Sequence, residues 1–298
     1  MTSINHLRLV NSQRSPSSLI QQGDQCFKET QEHIMRALDR LPLSLLNIEQ
    51  VRGNIPPPSS ERCMMAPALI MTPIYDRVEA YSQMDTFLDS GKNEFASLVL
   101  YGPTALGKST IACEYAKKRF DEGRYDNVLW ANGESLVSVL HSFTNIALRL
   151  KIPGARSDNH QENCILVQSW LRRTKSTWLL VYDNVDTADS ISPYFAQSNQ
   201  GRAIFKTRNA KQAHNMSTNW IHIEAWDKHE ATEFLFDRLR KDRKEVDEAD
   251  DNAALTLAEL VSGNSLELRL AATSIFASKY SVAGYLDIYQ KNPRVAQK

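Results

Sequence analysis

The sequence lacks an excess of either charge: 35 basic and 35 acidic residues give a formal net charge of zero. Without a net positive charge, no general attraction to nucleic acid or to an anionic membrane is expected, and we predict neither as a partner. No apolar run is long enough to span a membrane. The N-terminal residues also lack the basic start and apolar stretch of a secretory signal peptide. These absences predict a cytoplasmic location.

Cysteine is also scarce. The four cysteines, Cys26, Cys63, Cys113 and Cys164, are scattered and do not have the spacing of metal ligands, so we expect reduced thiols. The 42% hydrophobic and 23% charged content is ordinary for a globular protein. A chain of 298 residues is long enough for one large or two modest domains with a substantial core.

The most informative segment is 98–110, where an apolar strand leads into the pattern Gly102-x-x-x-x-Gly107-Lys108-Ser109 of a phosphate-binding P-loop. Its glycines allow a tight turn whose backbone N–H groups point at phosphate oxygens. Lys108 is predicted to contact the β- and γ-phosphates, and the Ser109 hydroxyl suits Mg²⁺. The positive end of the following helix favours the same anion. The residues predicted to contact the nucleotide here are Gly102, Pro103, Thr104, Ala105, Leu106, Gly107, Lys108, Ser109 and Thr110.

A second apolar run, 177–182, ends at an acidic residue, Asp183, about 75 residues after the P-loop. A P-loop protein that hydrolyses nucleotide needs a carboxylate at such a strand end to hold Mg²⁺, so Asp183 is predicted as a metal ligand together with Ser109. Asn184 follows where many active ATPases carry a second acid, and an amide cannot accept a proton from water. The next acid in the sequence, Asp186, lies two residues further on.

Another strand, 203–206, is followed by Thr207 and Arg208. The carboxyl ends of strands meet at the ligand site of open α/β sheets, so Arg208 is predicted to reach a γ-phosphate and to distinguish ATP from ADP.

Alternating strands and helices predict an α/β domain with a parallel sheet over residues 66–225, followed by a small helical subdomain over 226–298. Residues 1–60 are interpreted as a leader with one amphipathic helix, 24–46, and a proline-rich linker, 56–60. The charged run 241–251 is interpreted as a solvated loop. Predicted strands are 97–101, 128–131, 177–182, 203–206 and 221–224, and predicted helices are 108–120, 136–150, 161–173, 210–215, 229–240, 252–262 and 265–279.

Taken in order, these segments resemble the NB-ARC module of the STAND ATPases, found in NOD-like immune receptors and their fungal counterparts. The resemblance covers about residues 70 to 285. Two departures are visible: Asp76 stands where glycine is usual, and Ser265 replaces the proline that lies against adenine in the family. The segments that carry the resemblance are I-Y-D-R-V-E (74–79), the P-loop, Y-D-N-V-L-W-A (125–131), W-L-L-V-Y-D-N-V-D (178–186), T-R (207–208) and V-S-G-N-S-L-E-L (261–268).

The resemblance implies a P-loop NTPase fold of the ASCE and STAND type, a three-layer parallel sheet followed by the first helical subdomain of such receptors. It further implies an ADP- or ATP-dependent switch with Mg²⁺, slow or absent hydrolysis, and self-association or association with related receptor proteins in innate immune signalling. Leu266 is expected to pack near the base. The chain stops where the family continues into a winged-helix domain, which we interpret as a short form or a fragment.

Two alternative functions are also compatible with the sequence. One is a non-hydrolysing interaction partner, or decoy, of full-length receptors, favoured by Ser265 and by the missing winged helix. The other is an ATPase similar to the AAA+ class that couples fast hydrolysis to mechanical work. Asn184 counts against the second, because a fast ATPase needs a catalytic acid at that position.

Overall fold

The computed structural model describes residues 62–67, 78–89, 94–240 and 246–291, all within one compact unit, Ser60–Lys298. The predicted helix and linker of residues 1–60 lie outside the described residues, as does most of the segment 74–79. None of the described helices is long and apolar enough to cross a membrane.

In the part of the chain that the structure describes, six strands form one sheet in which every neighbouring pair is parallel. Their spatial order is β1-β3-β4-β5-β2-β6, so the strand before the P-loop, β2, lies between β5 and β6. Apolar residues dominate the central strands because both faces of a parallel sheet are covered by helices. The strands are β1 (Cys63–Met64), β2 (Ala96–Tyr101), β3 (Asn127–Asn132), β4 (Trp178–Asp183), β5 (Gly201–Thr207) and β6 (Trp220–His222).

Helices pack on both faces of this sheet and make a three-layer domain. On one face, Met84 and Tyr115 share a core with Leu98 of β2. On the other, Phe143 and Val167 pack against Leu180 of β4. The helices of this part are α1 (Val78–Asp89), α2 (Lys108–Asp121), α3 (Leu136–Arg149), α4 (His160–Arg173), the short α5 (Ala188–Ile191) with a 3₁₀ turn at Ser192–Tyr194, and α6 (Ala210–Met216).

Among the described residues, four further helices follow the sheet and have a core of their own. Phe236, Leu257, Ile275 and Tyr285 are among the residues buried in it. The helices are α7 (Lys228–Leu239), α8 (Glu248–Leu260), α9 (Ser265–Ser278) and α10 (Val282–Lys291). The predicted fold, a parallel α/β core followed by a helical subdomain, is therefore confirmed.

The structure corrects the sequence interpretation at two helices of the helical subdomain. The charged run 241–251 is not wholly a loop, because α8 begins at Glu248, four residues before the predicted start. Asp247 caps this helix by accepting a hydrogen bond from Asp250 N (2.7 Å), and acidic residues in a first turn are favourable beside the positive end of a helix. Helix α10 was not predicted from the sequence; it completes the helical core by burying Val282 and Tyr285.

Candidate functional site

The loop between β2 and α2 is shaped by its glycines. Gly102 has φ +142°, and a Cβ at this position would lie 2.3 Å from the carbonyl oxygen of Ile223, so only glycine fits against the chain after β6. Gly107 has φ +88° and precedes the first residue of α2. No side chain of the described residues caps this helix start, and the first backbone N–H groups of a helix have no partner within it. They are therefore available to an anion held by the loop.

Lys108, the first residue of α2, points into this loop. Its side chain is buried and donates hydrogen bonds to the carbonyl oxygens of Gly102 (2.7 Å) and Pro103. Burial lowers the pKa of Lys108 to about 8; the positive charges of Lys206 and Arg208 act in the same direction, while Asp183 opposes them. A phosphate group on the loop would offset this positive charge.

The predicted metal ligands, Ser109 and Asp183, are brought to the same place from α2 and β4. The link between them is Lys206, near the end of β5, whose ammonium donates hydrogen bonds to Ser109 Oγ and to Asp183 Oδ1. Lys206 is 2% exposed. It was not identified from the sequence; the available signal was a lysine in an otherwise apolar strand, two residues before Arg208.

A hydroxyl and a carboxylate are ligands that Mg²⁺ accepts. Here both oxygens already contact an ammonium group, so this arrangement does not fit a metal ion between them. Among the residues that the structure describes, no group of three or more His, Cys, Asp or Glu side chains is placed to hold a metal. The sequence-based Mg²⁺ site thus has its two oxygens in place but with a lysine between them.

Arg208 lies beyond the end of β5, and its side chain is 63% exposed. Its Nη2 lies 3.4 Å from Oδ1 of Asp186, the acid that follows β4. Asn184 follows the last residue of β4 and precedes Asp186 in the sequence. It has φ +57° and an exposed side chain. Asparagine tolerates this left-handed conformation better than most residues, so Asn184 has a structural role in the turn after β4.

A cavity of about 450 Å³ lies beside the P-loop and is shared by both parts of the protein. From the α/β part come P-loop residues and the chain after β6, where His222 stacks on Tyr101 with ring centroids 4.7 Å apart. From the helical subdomain come the end of α8 and the start of α9. Leu266 does not line this cavity and is 40% exposed. The lining residues are Pro103, Thr104, Leu106, His222, Glu224, Ala225, Leu260, Val261, Ser262, Asn264 and Glu267.

Ser265 joins α9 directly to the P-loop. Its Oγ donates a hydrogen bond to the carbonyl oxygen of Ala105, 2.7 Å away. Ser265 is the first residue of α9, a helix position that also tolerates proline, and Asn264 caps the helix by accepting from Leu266 N (3.0 Å) and Glu267 N (3.2 Å). The Ser265 hydroxyl therefore makes a polar contact with the loop that a proline at this position could not make.

The turn before α9 is held against the chain that leads into α7. Gly263 has φ +63°, and a Cβ on it would lie 2.0 Å from the carbonyl oxygen of Trp226. Trp226 N donates a hydrogen bond to Gly263 O (3.3 Å). This close approach fixes the start of α9 relative to the end of the sheet, and so places Ser265 beside the loop.

Residues 79–244, more than half of the chain, match the model of a family described as the NB-ARC domain. No curated protein matches the sequence. Among solved structures, Cdc6p from Pyrobaculum aerophilum is similar at 16% identity and TM-score 0.51, over 76% of this chain and 65% of that one. The ORC of Drosophila, solved bound to DNA, is similar at 10% identity and TM-score 0.50, over 75% and 62%.

A STAND protein with a tetratricopeptide repeat sensor from Pyrococcus horikoshii is similar at 16% identity and TM-score 0.45, over 69% of this chain and 30% of that one. The chain therefore spans less than two thirds of the length of each of these three proteins. At these identities, the Cdc6p and ORC structures show a shared fold and no more.

Proposed function

The chain belongs to the NB-ARC domain family, and from that premise we propose that it is an ADP- or ATP-binding switch of a STAND-type signalling protein. In the ADP form the nucleotide holds the α/β part and the helical subdomain together, and exchange for ATP releases them. A ligand shifts such an equilibrium only if it binds the two conformations with different affinity. The proposal therefore needs a nucleotide site built from both parts.

The observation that carries the proposal is the shared cavity beside the P-loop. Its walls come from the loop, the chain after β6 and the α8–α9 turn. The Ser265–Ala105 hydrogen bond lies at the same junction, and a Cβ on Gly107 would be only 3.6 Å from Ser265 Oγ. A nucleotide whose phosphates lie on the loop would place its base in this cavity, and so would contact both parts at once.

We propose that hydrolysis is slow. Asp183 is followed by Asn184, whose amide cannot act as a general base, and Asp183 itself is engaged by Lys206. We expect single-turnover ATP cleavage well below the roughly 1–10³ per second of typical enzymes. A fast turnover would instead support the ATPase alternative.

Mg²⁺ is not included in the proposed site, because the ammonium of Lys206 contacts both oxygens that would hold it. The anion is instead bound by groups of the chain itself: the N–H groups at the start of α2, Lys108 and Lys206. Arg208 is assigned to the γ-phosphate because it lies at the same edge of the sheet, near enough to Lys108 to lower its pKa. When ATP binds, Arg208 leaves its exposed pairing with Asp186 for this phosphate.

The partners that we propose are further copies of the chain or related receptor proteins, in signalling of the innate immune type and in the cytoplasm. Two exposed aromatic side chains of the helical subdomain are available for an interaction of this kind: Phe276 is 72% exposed and Tyr280 49% exposed.

The direct test is to denature freshly purified protein and identify the released nucleotide by chromatography. We expect near-stoichiometric ADP from the unaltered chain and little from Lys108→Ala. Lys117→Ala is the matched control, since Lys117 is an exposed lysine of the same helix and the substitution is identical.

An unaltered chain that is empty and does not bind added ADP or ATP would contradict the switch and support the second candidate, a non-hydrolysing interaction partner. The Lys206–Asp183 ion pair favours that candidate because it engages the carboxylate that hydrolysis requires.

A further inference from the structure

Lys206 occupies an unusual position for a lysine. Its side chain is 3% exposed, and its ammonium lies between a hydroxyl from α2, Ser109, and a carboxylate from β4, Asp183. Lysine is almost never this buried unless its charge is paired. Here the pairing partner is the carboxylate that P-loop proteins use for the metal ion.

The backbone around Lys206 is fixed by the sheet. Lys206 lies opposite Leu100 in the β2–β5 register, and its carbonyl oxygen accepts a hydrogen bond from Val185 N (2.8 Å). That bond also ties down the chain two residues after Asp183. The lysine and the carboxylate thus approach each other from neighbouring strands that are hydrogen-bonded to each other.

An aromatic ring lies on another side of the ammonium. Lys206 Nζ lies 5.7 Å from the centroid of the Trp130 ring, within the range of a cation–π interaction. The Lys206 charge thus has a carboxylate, a hydroxyl and an aromatic ring around it. Displacing it to admit a metal ion would separate the charge of Lys206 from the carboxylate inside a region of low polarity.

We propose that Lys206 provides, at this position, the positive charge that a P-loop site otherwise obtains from Mg²⁺, so that the chain binds ADP and ATP with an affinity that does not depend on Mg²⁺. An ammonium has three donors, and two serve Ser109 and Asp183. The third serves an oxygen of the phosphate held on the loop. This inference rests on the proposed nucleotide binding, and it assigns Lys206 as a residue that contacts the nucleotide.

The experiment measures the affinity of the full chain for a fluorescent ADP analogue by anisotropy, once with excess Mg²⁺ and once with excess EDTA. We expect less than about a twofold difference between the two conditions. In Lys206→Thr, the hydroxyl and carboxylate are freed, and we expect affinity to become at least about tenfold higher with Mg²⁺ than with EDTA. Lys211→Thr is the control: it removes an exposed lysine from α6, and its affinity should remain independent of Mg²⁺.

The unaltered chain alone decides the inference, so a poorly folded Lys206→Thr does not leave it untested. Binding that is strong with Mg²⁺ and at least about tenfold weaker with EDTA would overturn the role of Lys206 and leave the proposed switch in place. The absence of nucleotide binding under both conditions would overturn the proposed function and this inference with it. Equal affinity for the ADP analogue with Mg²⁺ and with EDTA supports both the proposed function and this inference.

Discussion

Ser265 donates a hydrogen bond to the backbone carbonyl of Ala105 across 160 residues of sequence, at an Oγ–O distance of 2.7 Å. One partner begins a helix of the helical subdomain and the other lies within the P-loop, where it has a left-handed φ of +63°. The bond therefore links the arrangement of the two parts of the protein to the conformation of the loop that is proposed to hold phosphate.

We expect Ser265→Ala to release ADP faster. A hydrogen bond of this kind contributes about 1 kcal/mol net, which corresponds to about a fivefold faster dissociation if the bond is lost on opening. Stopped-flow displacement of a fluorescent ADP analogue measures this rate. Ser278→Ala in the last turn of the same helix, at an exposed position, should leave the rate unchanged. Equal rates for both variants and the unaltered chain would show that the bond does not oppose opening.

Nucleotide affinity should decrease as the pH rises through the pKa of Lys108. That pKa is lowered to about 8 in the free protein, chiefly by burial and then by Lys206 and Arg208, with Asp183 opposing. A bound phosphate favours the ammonium form and raises this pKa, so binding above pH 8 takes up a proton and becomes weaker with rising pH. Burial lowers the pKa of Lys206 too, which adds to the decrease in the same direction.

For the Lys108 group alone, the expected loss of affinity is about tenfold between pH about 7 and about 9. Calorimetric titration with ADP at several pH values measures it. Lys108→Met should remove the part of the decrease centred near pH 8, whereas Lys117→Met, at an exposed position of α2, should retain it. An affinity that does not change over this range would mean that Lys108 stays protonated in the free protein.

Arg208 should distinguish the two nucleotides. We expect Arg208→Gln to weaken ATP binding by about tenfold and ADP binding by less than about twofold, since an ion pair with the γ-phosphate is lost only in the ATP form. Asp186→Asn is the matched variant, because it removes the carboxylate whose Oδ1 lies 3.4 Å from Arg208 Nη2. This variant should bind ATP as strongly as the unaltered chain or more strongly. Equal losses for ADP and ATP would argue against recognition of the γ-phosphate by this arginine.

Gly263→Ala should destabilise the protein more than Gly123→Ala. Both glycines have a left-handed φ, +63° and +78°, which costs alanine about 1–2 kcal/mol. A Cβ on Gly123 meets no atom of the described residues within 4 Å, whereas a Cβ on Gly263 lies 2.0 Å from the backbone oxygen of Trp226. The free energy of unfolding, measured with urea, should fall by about 1–2 kcal/mol in Gly123→Ala and by clearly more in Gly263→Ala. An equal decrease in the free energy of unfolding of the two variants would mean that the α8–α9 turn moves away from Trp226 at little cost.

Much of the molecule was determined by local sequence. Glycines at 102 and 107 have the positive φ values that a P-loop turn requires, and the apolar run ending at Asp183 is a strand, because these are properties of a few consecutive residues. The predicted strands and most predicted helices agree with the structure to within a few residues for the same reason. The predicted start of α8 was wrong, because acidic residues, which suggested a loop, also stabilise the first turn of a helix.

The tertiary structure alone decided what surrounds the phosphate loop. Lys206 meets Asp183 because β5 lies beside β4, and it meets Ser109 because α2 packs over the same face, neither of which follows from the spacing of these residues along the chain. Ser265 reaches Ala105 only because the turn at Gly263 lies against Trp226. Sequence patterns specify backbone conformation through neighbours in the chain, whereas hydrogen bonds and ion pairs between distant side chains depend on the order of strands and the packing of helices. The sequence therefore determined that a phosphate-binding loop exists, and the fold decided which cation lies beside it and which helix contacts it.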